Sequence, residues 1–290
     1  CNTLLICWEQ GIGDCIQFFR FIPDLISKYN HISITLWMKP EIAHIFSKPT
    51  HFKIVKNLPR SLDKFDYKLY IMSLPKILQI NHITPYQSPP YLLSNNLDSW
   101  KNKILNLGNK PKIALVWKGN TNTTIDKYIP FHFFKPLFDL DIHIIPLQKG
   151  DGEEEKNLLR LPNIHIFNID HTNKFSDTIP ILSCVDLLIT VDTSILHIAS
   201  NLNTKTLLLL GNKTEWRWFH DSQSQWYPHV NIFRQSDHKS IENMIQSMSL
   251  HVSSLFFKTH SDSNSDSDSI LLVDTHFKNK EFTKCIELSK

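Results

Sequence analysis

Residues Gly11-Ile12-Gly13-Asp14 set two glycines and a carboxylate directly after an apolar run and directly before a helical pattern. Glycine allows a tight turn and lets a ligand approach the backbone, and a helix start offers unpaired N–H groups with partial positive charge. Asp14 at this corner has two readings. It can cap the helix and complement its dipole, or it can act as a general base that takes a proton from an attacking hydroxyl. A second corner has the same layout: in LLITVDTSILHIA, Asp192 and Thr193 end a strand-like run and open a helix, where open α/β sheets bind ligands. Thr193 can offer its hydroxyl and N–H to a phosphate or simply cap the helix. His197, four residues on and on the same helical face, is either a packing residue or part of that site.

Lys118, Lys127 and Lys149 follow strand-like runs. An ammonium there would neutralise charge on a diphosphate leaving group, the alternative being a solvated surface lysine. Glu153, Glu154 and Glu155 stand in the first turn of an expected helix, complementing its dipole or, for one of them, accepting hydrogen bonds from a ribose. Other patterns carry less. Gly11-x-Gly13 lacks the third glycine of a dinucleotide fingerprint, so nicotinamide and flavin are not supported. Asp266-Ser-Asp268 mimics a metal motif inside a Ser/Asp repeat, and the 15 histidines have no metal-ligand spacing. The aromatic clusters WRWF (216–219) and WYP (226–228) read as packing, with base stacking or sugar contact as the alternative.

These residues need a frame to position them. Residues 3–8 and 32–38 read as buried strands around a helical segment 14–29 that Pro23 should kink or divide, which is a βαβ unit. Short strands are expected at 53–56 and 67–72, then an irregular proline-rich stretch. From Lys112, six strand-like runs (KIALVW, IHIIPL, IHIF, DLLITV, TLLLL, NIF) alternate with helical or polar segments, predicting a second parallel α/β domain. Ile195, Ile198, Ala199 and Leu202 share one helical face, with Thr193 or Asp192 as N-cap. Residues 251–270 are expected to be a flexible Ser/Asp-rich linker, and 271–290 the possible start of a helical repeat.

The totals narrow the classes. The 290 residues suffice for two packed domains, and 31 basic against 28 acidic residues give a net charge of +3, with no polybasic face for nucleic acid. Five scattered cysteines suggest neither a disulfide framework nor a zinc knuckle and fit a reducing compartment. No run resembles a signal peptide or a transmembrane helix, so a cytoplasmic protein is expected. The first residue, Cys1, and the helical pattern at the last residues suggest a piece of a longer polypeptide.

Taken in order, EQGIGDCIQFFRFIP, FDYKLYIMSLP, PPYL, IALVWKGN, LQKG, VDLLITVDTSILHIASNL, EWRWF, WYP and FRQ resemble one family over residues 4–240. It is the bacterial-type glycosyltransferases often fused to tetratricopeptide repeats, relatives of the ADP-heptose heptosyltransferases. The resemblance implies a GT-B architecture of two Rossmann-like domains, 1–109 and 110–250, facing across a cleft. The second would hold a nucleotide-diphosphate sugar, with metal-independent, inverting transfer and no cofactor. Asp14 matches the family's general base and Lys127 the lysine facing donor phosphate or acceptor. Gly11, Gly13, Lys149, Asp192, Thr193 and His197 would serve the donor site, with Glu154 near the nucleoside and Glu153 and Glu155 competing for that place. Two segments depart from the pattern. Asp126-Lys-Tyr-Ile-Pro130 replaces Asp-Arg-Arg-Ser-Ile-Pro, and Glu215-Trp-Arg-Trp218 replaces Asp-Trp-Arg-Trp. The expected activity is glycosyl transfer to an unidentified glycan, lipid or protein hydroxyl. The alternative is a non-catalytic nucleotide-sugar-binding or scaffold module.

Overall fold

The computed structural model describes residues 2–47, 52–80, 91–94, 96–120, 125–149, 156, 161–169 and 175–257. The first half follows the expected βαβ pattern: β1 (Thr3–Cys7), α1 (Ile12–Phe19), α2 (Ile22–Lys28), β2 (Ser33–Trp37), β3 (Phe52–Val55) and β4 (Tyr67–Tyr70). The helical segment after β1 is divided as Pro23 requires. α1 ends at Phe19, and Pro23 lies in the first turn of α2, where its missing N–H costs nothing. The four strands are parallel in the order β3-β2-β1-β4. Short α3 (Leu74–Ile77) and α4 (Leu97–Leu105) follow. Trp100 of α4 is buried and donates from its indole to Asp177 Oδ1 at 2.8 Å, tying α4 to the next half.

The second sheet comprises β5 (Lys112–Val116), β6 (His143–Pro146), β7 (Leu187–Val191), β8 (Thr206–Leu210) and β9 (Val230–Arg234), parallel in the order β6-β5-β7-β8-β9. Its helices are α5 (Lys135–Phe138), α6 (Thr178–Cys184), α7 (Ser194–Asn201), α8 (Gln235–His238) and α9 (Ile241–Phe256). β5, β7 and β8 are buried throughout, as continuous apolar runs in a sheet covered on both faces should be. One face packs on Met244, Ile245, Met248 and Val252 of α9. The other belongs to a single apolar cluster running from Leu4, Ile6, Ile16 and Phe19 of the first half to Leu188, Leu196 and Leu208 of the second.

Two sequence expectations are corrected. IHIF (164–167) is not a strand: it meets β6, an edge strand, at the single bridge Ile144–Ile164, while Ile164 and Phe167 pack half-buried on two different apolar clusters and Ile166 is exposed. The stretch assigned to a linker at 251–270 begins as helix, because Met248 and Val252 bury against the sheet and carry α9 on to Phe256. The rest of that stretch and the repeat-like residues 271–290 lie outside the described residues. Residues Cys1–Phe256 form one compact unit, separate from Phe257–Lys290. No helix among the described residues is long and apolar enough to cross a membrane.

Candidate active site

Each sheet has one point where the chain reverses its direction of travel across the strands. In the first, β1, β2 and β3 proceed one way and β4 sits on the other side of β1; in the second, β5 and β6 go one way and β7, β8 and β9 the other. Ligands bind beyond the carboxyl ends of the strands at such points. Gly11–Asp14 follows β1 at the first switch point, and Asp192–Thr193 follows β7 at the second. The two corners touch. A Cβ on Gly13 would lie 2.8 Å from His197 Cδ2 and 3.6 Å from Ser194 Cα, so the start of α1 rests against the first turn of α7, and glycine is what allows the approach.

At the first corner both oxygens of Asp14 are engaged. Gly11 N–H donates to Oδ2 at 2.8 Å, the capping bond, while Arg217 Nη2 donates to Oδ1 at 2.5 Å across the two halves. The pair is nearly buried, with side-chain exposures of 8 % for Arg217 and 11 % for Asp14. At the second corner Thr193 occupies the N-cap position of α7 with extended backbone but makes no side-chain capping bond. Its hydroxyl lies 3.4 Å from Thr190 Oγ1. The capping function expected of Thr193 is thus not exercised, which leaves the hydroxyl beside the helix start for another partner.

Lys127 reaches the same place from the loop after β5. Main-chain bonds Gly119 N–H to Lys127 O (2.7 Å) and Ile129 N–H to Trp117 O (2.9 Å) fold that loop back on itself. Its ammonium lies 3.2 Å from Asp192 Oδ2 and 3.4 Å from Glu215 Oε1. The Asp192 contact has ion-pair distance without hydrogen-bond alignment, since Asp192 Oδ2 makes no hydrogen bond among the described residues. A Cβ on Gly119 would meet Lys127 Cβ at 3.0 Å, Thr193 Cγ2 at 3.2 Å and Asp192 O at 3.3 Å, so the loops after β5 and β7 close on one another at the switch point.

His197 is buried, and its Nδ1 shares a 2.6 Å hydrogen bond with Tyr227 OH while its ring stacks on Trp218. Burial above all, then the charges of Arg217, Arg20 and Lys127, hold its pKa well below the ordinary histidine value, so it is neutral. The packing reading of His197 therefore describes its contacts. Arg20, buried in the first half, donates to Trp226 O at 2.9 Å and stacks 4.3 Å over the Tyr227 ring.

Of the residues expected at a site, the structure brings together Gly11, Gly13, Asp14, Lys127, Asp192, Thr193 and His197. Lys149 lies beyond β6, a strand away from the switch, its carbonyl bound by Gln148 Nε2. Glu154, with Glu153 and Glu155, falls outside the described residues. Sequence reasoning missed Arg20, Glu215, Arg217 and Tyr227. The EWRWF and WYP clusters were the available signal, but they read as aromatic packing because nothing in one dimension pairs Arg217 with a carboxylate 203 positions earlier. Among the described residues no group of three or more His, Cys, Asp or Glu is placed to hold a metal ion.

No family model matches the chain. Protein FlbA of Caulobacter vibrioides is 25% identical over 263 residues, covering 80% of this chain and 43% of that protein, so the match spans less than half of its relative's length. Solved structures align over nearly the whole described unit. A glycosyl transferase family 9 structure from Veillonella parvula superposes with a TM-score of 0.63 at 8% identity, covering 88% of this chain and 97% of that one. The E. coli ADP-heptose lipopolysaccharide heptosyltransferase II gives 0.57 at 11% identity over 86% and 98%. E. coli heptosyltransferase WaaC, solved with ADP, gives 0.53 at 12% identity over 87% and 98%.

The fold is GT-B. The GT-B arrangement accounts for the two parallel sheets and for a site that draws residues from both. At these identities the likeness concerns the fold alone.

Proposed function

We propose that this chain is a glycosyltransferase that moves a sugar from a nucleotide-diphosphate sugar to a hydroxyl acceptor with inversion. The observation that carries the reading is the meeting of the two switch-point corners, a carboxylate on one and a cation-rich helix start on the other. The start of α7, with the Thr193 hydroxyl, Lys127 and the nearby Arg217, suits a diphosphate. Asp14, across the seam, suits the acceptor's proton. The acceptor oxygen attacks the anomeric carbon from the face opposite the diphosphate as its proton passes to Asp14. The bond from that carbon to the phosphate oxygen breaks with its electron pair on the leaving nucleoside diphosphate. Lys127 and the helix N–H groups stabilise that charge, in the role a metal ion plays elsewhere.

The structures solved as ADP-heptose heptosyltransferases make ADP-sugars the first donors to try. Calorimetric titration with ADP-, GDP- and UDP-sugars in EDTA is expected to show binding that Thr193→Ala and Lys127→Ala weaken. Absence of binding to every donor would sink the reading. A second reading, a nucleotide-sugar-binding module without turnover, is favoured by the engagement of both Asp14 oxygens. Asp14→Ala separates the two: loss of measurable transfer with donor affinity kept removes the module reading, and no transfer by the native protein across a broad acceptor panel supports it. The reading includes a cytoplasmic location, where nucleotide sugars are made.

A further inference from the structure

We propose that Arg217 is an exchangeable partner that holds Asp14 shut until a nucleoside diphosphate binds, then moves from the carboxylate to the diphosphate. The proposal rests on the donor-site reading above and adds an order of events to it.

Three observations carry it. In the free protein Gly11 N–H holds Asp14 Oδ2 and Arg217 holds Oδ1, so an acceptor hydroxyl must share Oδ1 with the guanidinium. The guanidinium is only partly used, because Arg217 is buried and its Nε has no hydrogen-bond partner among the described residues. A buried, unpaired donor on a charged group is costly and is resolved by a ligand that takes it. The destination is near: Gly13, next to the Asp14 that Arg217 binds, rests on Ser194 and His197 in the first turn of α7, and the ring of Trp218, next to Arg217, stacks on His197. Turning from Asp14 toward the α7 start exchanges a carboxylate for a phosphate, both of which an arginine fork can meet with two parallel hydrogen bonds.

The segment around Arg217 is built for a side-chain move. Trp218 is buried and its carbonyl is held by Arg234 Nη2, fixing the backbone just beyond. Phe219 has φ 42° and ψ −144°, a left-handed conformation that glycine adopts freely and phenylalanine does not. On the other side, Glu215 is pinned by Lys127. Arg217 therefore exchanges partners on a fixed backbone. Donor binding then both places the leaving group and clears Asp14 Oδ1 for the acceptor hydroxyl.

The exchange predicts a sign that simple packing does not. In Asp14→Asn the arginine no longer has to leave a carboxylate, so ADP, GDP or UDP, whichever the native protein binds, should bind about tenfold more tightly in calorimetry, an ordinary size for two coupled sites. Arg217→Gln should weaken the same nucleotide about tenfold, with Arg217→Lys between the two. In the double variant Asp14→Asn/Arg217→Gln the tightening should vanish. Unchanged affinity in Asp14→Asn overturns the exchange. So does an equal tightening in both backgrounds, which means that only a negative charge was removed. If Arg217→Gln does not fold, Asp14→Asn in the Arg217→Lys background makes the same comparison, with a reduced gain expected. Failure of native and Asp14→Asn proteins alike to bind any of the three nucleotides defeats the donor-site reading itself, whereas binding without the gain defeats only the exchange.

Discussion

The corners after β1 and β7 are the same piece of backbone geometry put to different uses. Each follows a buried parallel strand at a switch point and opens an eight-residue helix. In the first, the acid sits in the opening turn and accepts from the N-cap Gly11 N–H, which satisfies one donor of the helix start from within the chain. In the second, the N-cap is Thr193 with no side-chain capping bond, and beside it Lys127 stands between Asp192 and Glu215. A helix start that already carries its own carboxylate does not invite a second anion, whereas one capped by a hydroxyl beside a lysine leaves its N–H groups open to one. Residue type at one or two positions, rather than fold, sets the two corners apart.

The largest test breaks the first corner alone. Asp14→Ala should lower transfer by about 10²- to 10⁴-fold, the span of a general base, without weakening nucleotide binding. Comparable losses in affinity and turnover would mean that the corners do not divide the work. Next comes the contact between them: Gly13→Ala drives a methyl to 2.8 Å from the buried ring of His197, and overpacking of this kind should cost about 1–3 kcal/mol in urea denaturation.

The third test uses pH, which should act on the second corner. His197 has a folded pKa below its unfolded value of about 6.5, so the unfolded chain takes up a proton that the folded one refuses. Stability is unaffected above pH 6.5 and falls as pH drops below it. The slope from this one group is at most about 1.4 kcal/mol per pH unit. His143, His165, His229 and His251, all lowered chiefly by burial, add to the fall in the native protein. His197→Gln, which can still bond Tyr227, should flatten the slope between pH 6.5 and 5.5; an unchanged slope would show that His197 takes up protons equally in the folded and unfolded chain. The smallest effect belongs to an ion pair away from both corners. Lys135→Ala removes an exposed i,i+4 partner of Asp139 and should change stability by less than about 0.5 kcal/mol, in contrast to loss of the buried Asp14–Arg217 pair.

Much of this was legible from the chain. Strand-like runs gave the approximate places of all nine strands among the described residues, most plainly for β5, β7 and β8, because a parallel strand covered on both faces must be apolar throughout. IHIF misled because a short run rich in Ile and Phe looks alike whether a sheet pairs it along its length or touches it at one bridge. Pro23 divided α1 from α2 by a purely local rule. Asp14, Asp192 and Thr193 announced themselves by standing between a strand and a helix, where position alone implies proximity to a ligand.

What the sequence determined by itself was therefore local: periodicity, breakers and the residue types at each corner. What only the tertiary structure decided was which groups meet. Arg217 is bound to Asp14, Asn201 of α7 accepts from the backbone N–H groups of Tyr91 and Leu92, and Lys127 is held between Asp192 and Glu215. These partners are separated by 65 to 203 positions in the chain. Hydrogen bonds and ion pairs act over about 3 Å, and only the packing of one sheet's carboxyl end against the other brings such distant side chains within that reach.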